Sequence, residues 1–181
     1  MPFTLVDHAG QAALLPAGAA LDQPLALDTE FMRERTYYPQ LALVQVADGA
    51  GRIWLADPLA EGLAPALSRL VGESHALMHS ASEDLVAFRH ALGVLPRSLY
   101  DTQIAAAFAG LGPGLGYQGL VKALLGVELD KAETRSDWLK RPLSERQLAY
   151  AADDVRHLHA AVAALDERLE RRGHRQRALA D

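Results

Sequence analysis

Short apolar runs separated by turn residues fill the first half of the chain. LALDTEF (25–31), LALVQVAD (41–48) and RIWLAD (52–57) predict three strands, with Tyr38-Pro39 ahead of the second and Asp48-Gly49 ahead of the third. Asp57-Pro58 closes the third, and a helix is predicted over about 59–71. HALMHS (75–80) predicts a fourth strand, after which Ser80 and Glu83 have the spacing of a capping box that opens a helix to about Leu92. SLYD (98–101) predicts a fifth strand, running into the helical TQIAAAFA. Beyond it the periodicity turns helical: LVKALLG near 120–126, then one long helix from about 145 to 170, with Ser144 and Gln147 as its capping box.

Three meandering strands followed by alternating helix and strand give a βββαβα order. That order describes an α/β fold, a ribonuclease H-like mixed sheet flanked by helices. No internal repeat or long linker divides the chain. Its 181 residues form one domain of ordinary size, able to bury a proper core. Hydrophobic residues make up 50% and charged residues 23%, the balance of a soluble globular protein. The absence of cysteine excludes disulfides, zinc-thiolate sites and thiol nucleophiles, and it fits a reducing cytoplasm. The N-terminal MPFTLVDHAGQ lacks a basic segment before an apolar stretch, and no run approaches the length of a membrane span.

Four acids interrupt this apolar pattern. Asp28 and Glu30 lie in LALDTEF, Asp84 in HSASEDL, and Asp154 in YAADD, four residues after Tyr150. A carboxylate set in a core-like segment is costly to bury without positive compensation. Strand side chains alternate, so Asp28 and Glu30 share one face while Leu25, Leu27 and Thr29 take the other. Asp84 falls in the first turn of its helix, and Tyr150 and Asp154 share a helix face. Singly, each has a plain structural explanation: a solvated strand edge, a helix-favouring acid near an N-terminus, a surface hydrogen bond. Their co-occurrence in this order points to a shared cation site, and hard oxygen donors without cysteine select Mg²⁺ or Mn²⁺. Such a site fits phosphodiester chemistry. The net charge of −5 is a weak objection to a nucleic-acid substrate, because bound divalent ions invert the local sign. Basic groups also cluster at 131–141, including Lys131 and Arg135, and at 168–177, where they can contact phosphates.

With these motifs the chain resembles the DEDD superfamily of 3′→5′ exonucleases, in its tyrosine subclass, and within it the catalytic domain of bacterial ribonuclease D. The matching stretches are LALDTEFMRERTYYPQLALVQVAD, HSASEDLVAF, YDTQIAAAF and LDKAETRSDWLKRPLSERQLAYAADDV, over roughly residues 25–155. The resemblance implies metal ligation by Asp28, Glu30, Asp84 and Asp154, holding two divalent ions about 4 Å apart. It implies that Tyr150 orients the attacking water first and accepts its proton second, since a phenol with a pKa near 10 is a poor base at pH 7. Phe31 and Met32, just past the D-x-E, are expected to pack against the terminal base. The implied substrate is a single-stranded RNA 3′ end, as in tRNA precursors. A DNA 3′→5′ exonuclease and a non-catalytic RNA-binding scaffold are the alternatives. Ribonuclease D usually carries helical RNA-binding domains after the catalytic one. This chain ends at Asp181 in the helix-like RRGHRQRALAD, so the expectation is a single exonuclease domain, either minimal or, the reading slightly favoured, cut from a longer protein.

Other signals carry less. Gly114 to Gly119 matches G-x-G-x-x-G, but the segment before it reads as helix, so a loop entering the next helix is expected rather than a dinucleotide site. Asp101 is expected as an N-cap, His79 as a hydrogen-bonded structural histidine, and Trp138 as a packing residue. Asp153 points about a quarter turn away from Asp154 and is left out of the metal site.

Overall fold

The computed structural model describes residues 3–17, 22–33, 36–130, 133 and 136–172. Six strands form one sheet: β1 (Thr4–Val6), β2 (Leu25–Met32), β3 (Gln40–Ala47), β4 (Ile53–Ala56), β5 (His75–Met78) and β6 (Ser98–Asp101). Their spatial order is β1-β4-β3-β2-β5-β6. β3 pairs antiparallel with β2 and β4, whereas β1–β4, β2–β5 and β5–β6 are parallel. The expected mixed sheet is therefore present, with one strand more than anticipated. β1 is only three residues long, too short to leave a pattern, and it adds to the β4 edge.

Helices α1 (Ala64–Glu73) and α2 (Ser82–Ala91) cover one face of the sheet, closing a core that includes Leu25, Leu27, Val44, Val46, Leu67 and Phe88. Helix α5 (Glu145–Arg156) covers the other face over Ala26, Leu43, Ala47, Ile53 and Leu55. A third apolar cluster joins α3 (Thr102–Phe108), α4 (Tyr117–Leu125) and α6 (Leu158–Arg172) through Ala105, Ala106, Leu120, Leu165 and Leu169. Among the described residues, no helix is long and apolar enough to cross a membrane.

Three predicted boundaries move. The helix expected from 59 begins at Ala64, because Gly62 takes a left-handed conformation (φ 80°) and Pro65 occupies the first turn. The Ser80–Glu83 capping box does not form. Ser80 has φ 57°, and Asp101 accepts hydrogen bonds from the backbone N–H groups of Ser80 (3.0 Å) and Ala81 (2.9 Å). The same carboxylate accepts from Gln103 N at 2.8 Å, so Asp101 is the N-cap of α3, as expected, and also secures the turn before α2.

The third difference is the long C-terminal helix. Its capping box at Ser144 and Gln147 forms as expected, but the helix breaks at His157 into α5 and α6. There the Tyr117 hydroxyl donates to the Asp153 carbonyl (3.2 Å) and accepts from His157 N–H (3.3 Å). A side chain has entered the place of an i→i−4 backbone bond, a recognised cause of helix interruption. Nothing local in the sequence marks this break, since its cause lies 40 residues away.

The approach to α5 is held by Arg141. Its guanidinium donates to both Asp57 carboxylate oxygens (2.6 and 2.8 Å) and to the carbonyls of Ala42 (2.6 Å), Trp138 (2.7 Å) and Lys140 (3.0 Å). Ala42 is the extra residue of a bulge, for Glu30 pairs with Leu43 while Phe31 pairs with Leu41. Arg141 thus belongs to the fold rather than to a phosphate-binding cluster, correcting that part of the 131–141 expectation. Lysine cannot reproduce a five-donor planar fork. Arg141→Lys should destabilise the protein by about 2 kcal/mol, read as a lowered midpoint in urea with an unchanged slope.

Candidate active site

β2 runs between β3 and β5, so its side chains meet neighbours on both sides. As the alternation predicts, Leu25 and Leu27 enter the α1/α2 core, while Ala26 lies in the α5 core. Asp28 and Glu30 face the same way as Ala26. Together with Thr29, His79, Tyr117, Tyr150, Asp154 and Leu158 they line a cavity of about 240 Å³. Asp84 is buried, 7% exposed, in the first turn of α2, and accepts a hydrogen bond from the Thr29 hydroxyl. The four acids named by the sequence are thus brought together from β2, α2 and α5, with Tyr150 on the same cavity wall.

Their electrostatics follow from burial and mutual repulsion. Asp28 is raised well above the usual carboxylate range by desolvation, then by the charges of Asp84, Asp154 and Glu30. Glu30 is pushed up to about 9 by desolvation, then by Asp154 and Asp84. Asp154 rises to about 7 through desolvation and the neighbouring Asp153. Asp84 rises to about 6 through desolvation, opposed by the Thr29 hydroxyl. Among the described residues no lysine or arginine pairs with any of the four, and no three acidic or imidazole side chains close tightly enough to ligate one ion as they stand. The donors are carboxylate oxygens in a chain without cysteine, and what they lack is positive charge. That chemistry suits hard divalent cations.

The remaining assignments divide. Asp153 forms an ion pair with Arg156 at 2.7 Å, consistent with its exclusion from the metal site. His79 is hydrogen-bonded to the Thr102 hydroxyl (2.9 Å) and the Leu115 carbonyl (3.0 Å), as a structural histidine should be, although its ring lines the cavity. Desolvation lowers its pKa. Trp138 is buried, packing 6.2 Å from the Tyr150 ring. The glycine-rich 114–119 segment is a loop entering the next helix, as expected: Gly116 is the N-cap of α4, and residues 117–119 are its first turn. Phe31 packs against the α1/α2 core and Met32 against the α5 core, and neither lines the acid cavity. Lys131 and Arg135 lie outside the described residues.

Three side chains around the cavity were not foreseen. Thr29 fixes Asp84, and Tyr117 fixes the end of α5 that carries Asp154. Desolvation pushes the Tyr117 hydroxyl far above the ordinary phenol range, so it stays a neutral donor at any working pH. Gln45 on β3 is the cross-strand partner of Asp28, with an amide fully buried and without a hydrogen-bond partner among the described residues. A lone polar residue inside LALVQVA, on the face shared with Asp28, was the available signal for it.

A mixed sheet that gathers D-x-E, a helix-start Asp and a late Tyr-x-x-x-Asp around one cavity has the build of a nuclease domain. A family model described as 3′-5′ exonuclease matches residues 6–170, and the chain belongs to that family. Ribonuclease D of Xanthomonas oryzae pv. oryzae is 58% identical over 153 residues, covering 83% of this chain and 42% of the relative. The crystal structure of Escherichia coli RNase D, described as an exoribonuclease involved in structured RNA processing, superposes with a TM-score of 0.83 at 39% identity, covering 99% of this chain and 48% of that one. Brucella melitensis NrnC with bound Mg²⁺ superposes at 0.81 with 29% identity, covering 99% and 88%. The chain spans about two-fifths of the length of the curated relatives it matches.

The raised acids make stability depend on pH in a definite direction. In a chelator, the folded chain keeps protons that the unfolded chain, with carboxyls titrating near 4, has already released. Stability should therefore fall as the pH climbs from about 5 to about 9. Asp28→Asn should flatten that slope and melt at or above the wild-type temperature at pH 8. Melting curves in EDTA test both; a marked loss of Tm at pH 8 would make Asp28 a structural residue.

Proposed function

We propose that this chain is a 3′→5′ exoribonuclease that hydrolyses phosphodiester bonds at a free 3′ end and releases 5′-mononucleotides. Its substrates are single-stranded 3′ ends in the cytoplasm, of tRNA precursors and other structured RNAs. The observation that carries this reading is the gathering of four carboxylates from β2, α2 and α5, unpaired with lysine or arginine among the described residues, with Asp28, Glu30, Asp154 and Tyr150 lining one cavity and Asp84 beside it. The RNA preference leans on the ribonuclease D relatives.

Asp28, Glu30, Asp84 and Asp154 would hold two divalent ions, Mg²⁺ or Mn²⁺. When bound, such ions supply Lewis-acid polarisation of phosphoryl oxygens and charge for the developing negative transition state. The protein's own residues do the positioning. Asp28 and Glu30 present two carboxylates from one rigid strand, and the Thr29 hydroxyl fixes the rotamer of Asp84. Tyr150, one helical turn before Asp154, directs its hydroxyl at the attacking water and holds it in line with the scissile phosphate. Phe31 and Met32, at the end of β2, are the partly exposed apolar groups offered to the terminal base. Lys131 and Arg135 are assigned to the phosphate backbone.

Hydrolysis should stop in EDTA and return with Mg²⁺ or Mn²⁺. A 5′-labelled RNA should shorten one nucleotide at a time while a circular RNA of the same sequence stays intact. Tyr150→Phe should lower kcat by roughly 10²–10³-fold, the scale of a lost positioned proton acceptor, with little change in the metal concentration for half activity. Cleavage of the circle, or full activity in chelator, would overturn the reading. Matched RNA and DNA strands run side by side decide the sugar preference.

A further inference from the structure

The chain beyond β2 is tied to the helix that carries Asp84. Arg33 donates to the Glu83 carboxylate at 2.6 Å and to the Tyr37 carbonyl at 3.2 Å, and the Thr36 hydroxyl donates to the Tyr38 carbonyl at 2.8 Å. The segment so held presents two rings, Tyr37 and Tyr38, beside a third on α2. Tyr38 lies nearly parallel to His90 of α2, with centroids 4.3 Å apart and 18° between planes. Tyr37 meets Tyr38 edge-on, at 4.8 Å and 87°. These rings are not spent on the core: Tyr37 is 82% exposed and Tyr38 46%. Tyr38 and His90 also border a shallow groove, of about 450 Å³, floored by Leu85, Val86 and Leu95.

Charge on this face runs against that of the chain as a whole. Glu83 is neutralised by Arg33. Arg89, on the groove wall, donates to the Gly93 carbonyl at 3.0 Å and pairs with no carboxylate among the described residues. Flat aromatic faces beside guanidinium groups are what single-stranded nucleic acid binds: bases stack whatever their sequence, and arginine meets the phosphates. Asp84 and His90 stand six residues apart on one helix, about 9 Å along its axis, the length of two to three stacked bases at about 3.4 Å each. Arg89 and His90 lie on the exposed flank of α2, away from the buried face that carries Asp84, so a strand reaching them passes around that helix.

We propose that Tyr37, Tyr38 and Arg89 form a stacking track for the single-stranded RNA lying 5′ of the nucleotide being removed. The proposal rests on the exoribonuclease reading above and extends it to substrate length: an RNA long enough to reach the track binds more tightly than one confined to the acid cavity. The groove's occupant is thus a stretch of the substrate strand, not a second copy of the chain or another protein.

The test compares a decamer with a dinucleotide. In Tyr37→Ala/Tyr38→Ala the decamer KM should rise about tenfold, the scale of one lost base–aromatic stack, while kcat and KM on the dinucleotide stay at wild-type values. Tyr37→Phe/Tyr38→Phe keeps both rings and should restore the decamer KM. Tyr37→Ala alone, at an exposed position, gives a smaller rise in a protein whose fold is not in question. Anisotropy of a fluorescent decamer with phosphorothioate 3′ linkages reads the track without turnover, with the dissociation constant rising in the same proportion. An unchanged decamer affinity overturns the proposal. So does an equal loss on both substrates, which would make the tyrosines a brace for Asp84, or a fall in oligomeric state on sedimentation, which would make the face a contact between copies. Should the wild type cleave no RNA while the anisotropy contrast persists, the exoribonuclease reading fails and the track stands.

Discussion

Like-charge repulsion among Asp28, Glu30, Asp84 and Asp154 is what the remainder of this fold has to oppose. Each is desolvated, and Asp28 and Glu30 are raised further by the others of the set. The groups therefore favour either protonation or a chain that moves apart. The structure answers by giving each acid a different rigid support. Asp28 and Glu30 ride on a strand paired on both sides, Asp84 on a helix start anchored through Thr29, and Asp154 on a helix whose N-terminus is capped and whose approach is fastened by Arg141. No one of these elements can relax without disturbing the sheet or one of its two faces. A cation entering the cluster would then relieve a strain that the apolar cores are already containing.

Supports of this kind reach the acids through residues with no chemistry of their own. Asp101 is the clearest case. By capping α3 and holding the backbone of Ser80 and Ala81, it locks the turn from β5 into α2 and so sets where Asp84 emerges. Arg141 does the equivalent on the opposite face, joining the β3 bulge, Asp57 and the segment before α5 into one unit. The carboxylates are the visible part of the site, and these two residues brace the turn and the segment from which α2 and α5 start.

Much of this was legible in the chain. Alternation in LALDTEF placed Asp28 and Glu30 on one face, and Ser144 and Gln147 marked the start of the helix carrying Tyr150 and Asp154. Those features are local: a period of two, a spacing of three. What stayed hidden depends on groups distant in sequence. The Ser80 box is absent because Asp101, 21 residues on, takes the Ser80 amide that Glu83 would have served. The continuous helix from 145 looked sound until Tyr117 entered its ladder. Arg141 could be counted as one basic residue among several, but its five donors meet Asp57 only in the folded sheet. β1, at three residues, is a strand only because the edge of β4 is open beside it.

The joint between α5 and α6 has an evolutionary corollary. Because a phenol from α4, rather than the main chain, bridges Asp153 and His157, the pitch of α6 is set by the small apolar layer it shares with α3 and α4. Sequence drift in that layer can move the phenol together with α6, and the phenol is bonded to the end of α5 that carries Asp154. A layer that holds no acid is thereby geared to the site through one hydroxyl, and its residues change at the cost of where Asp154 stands.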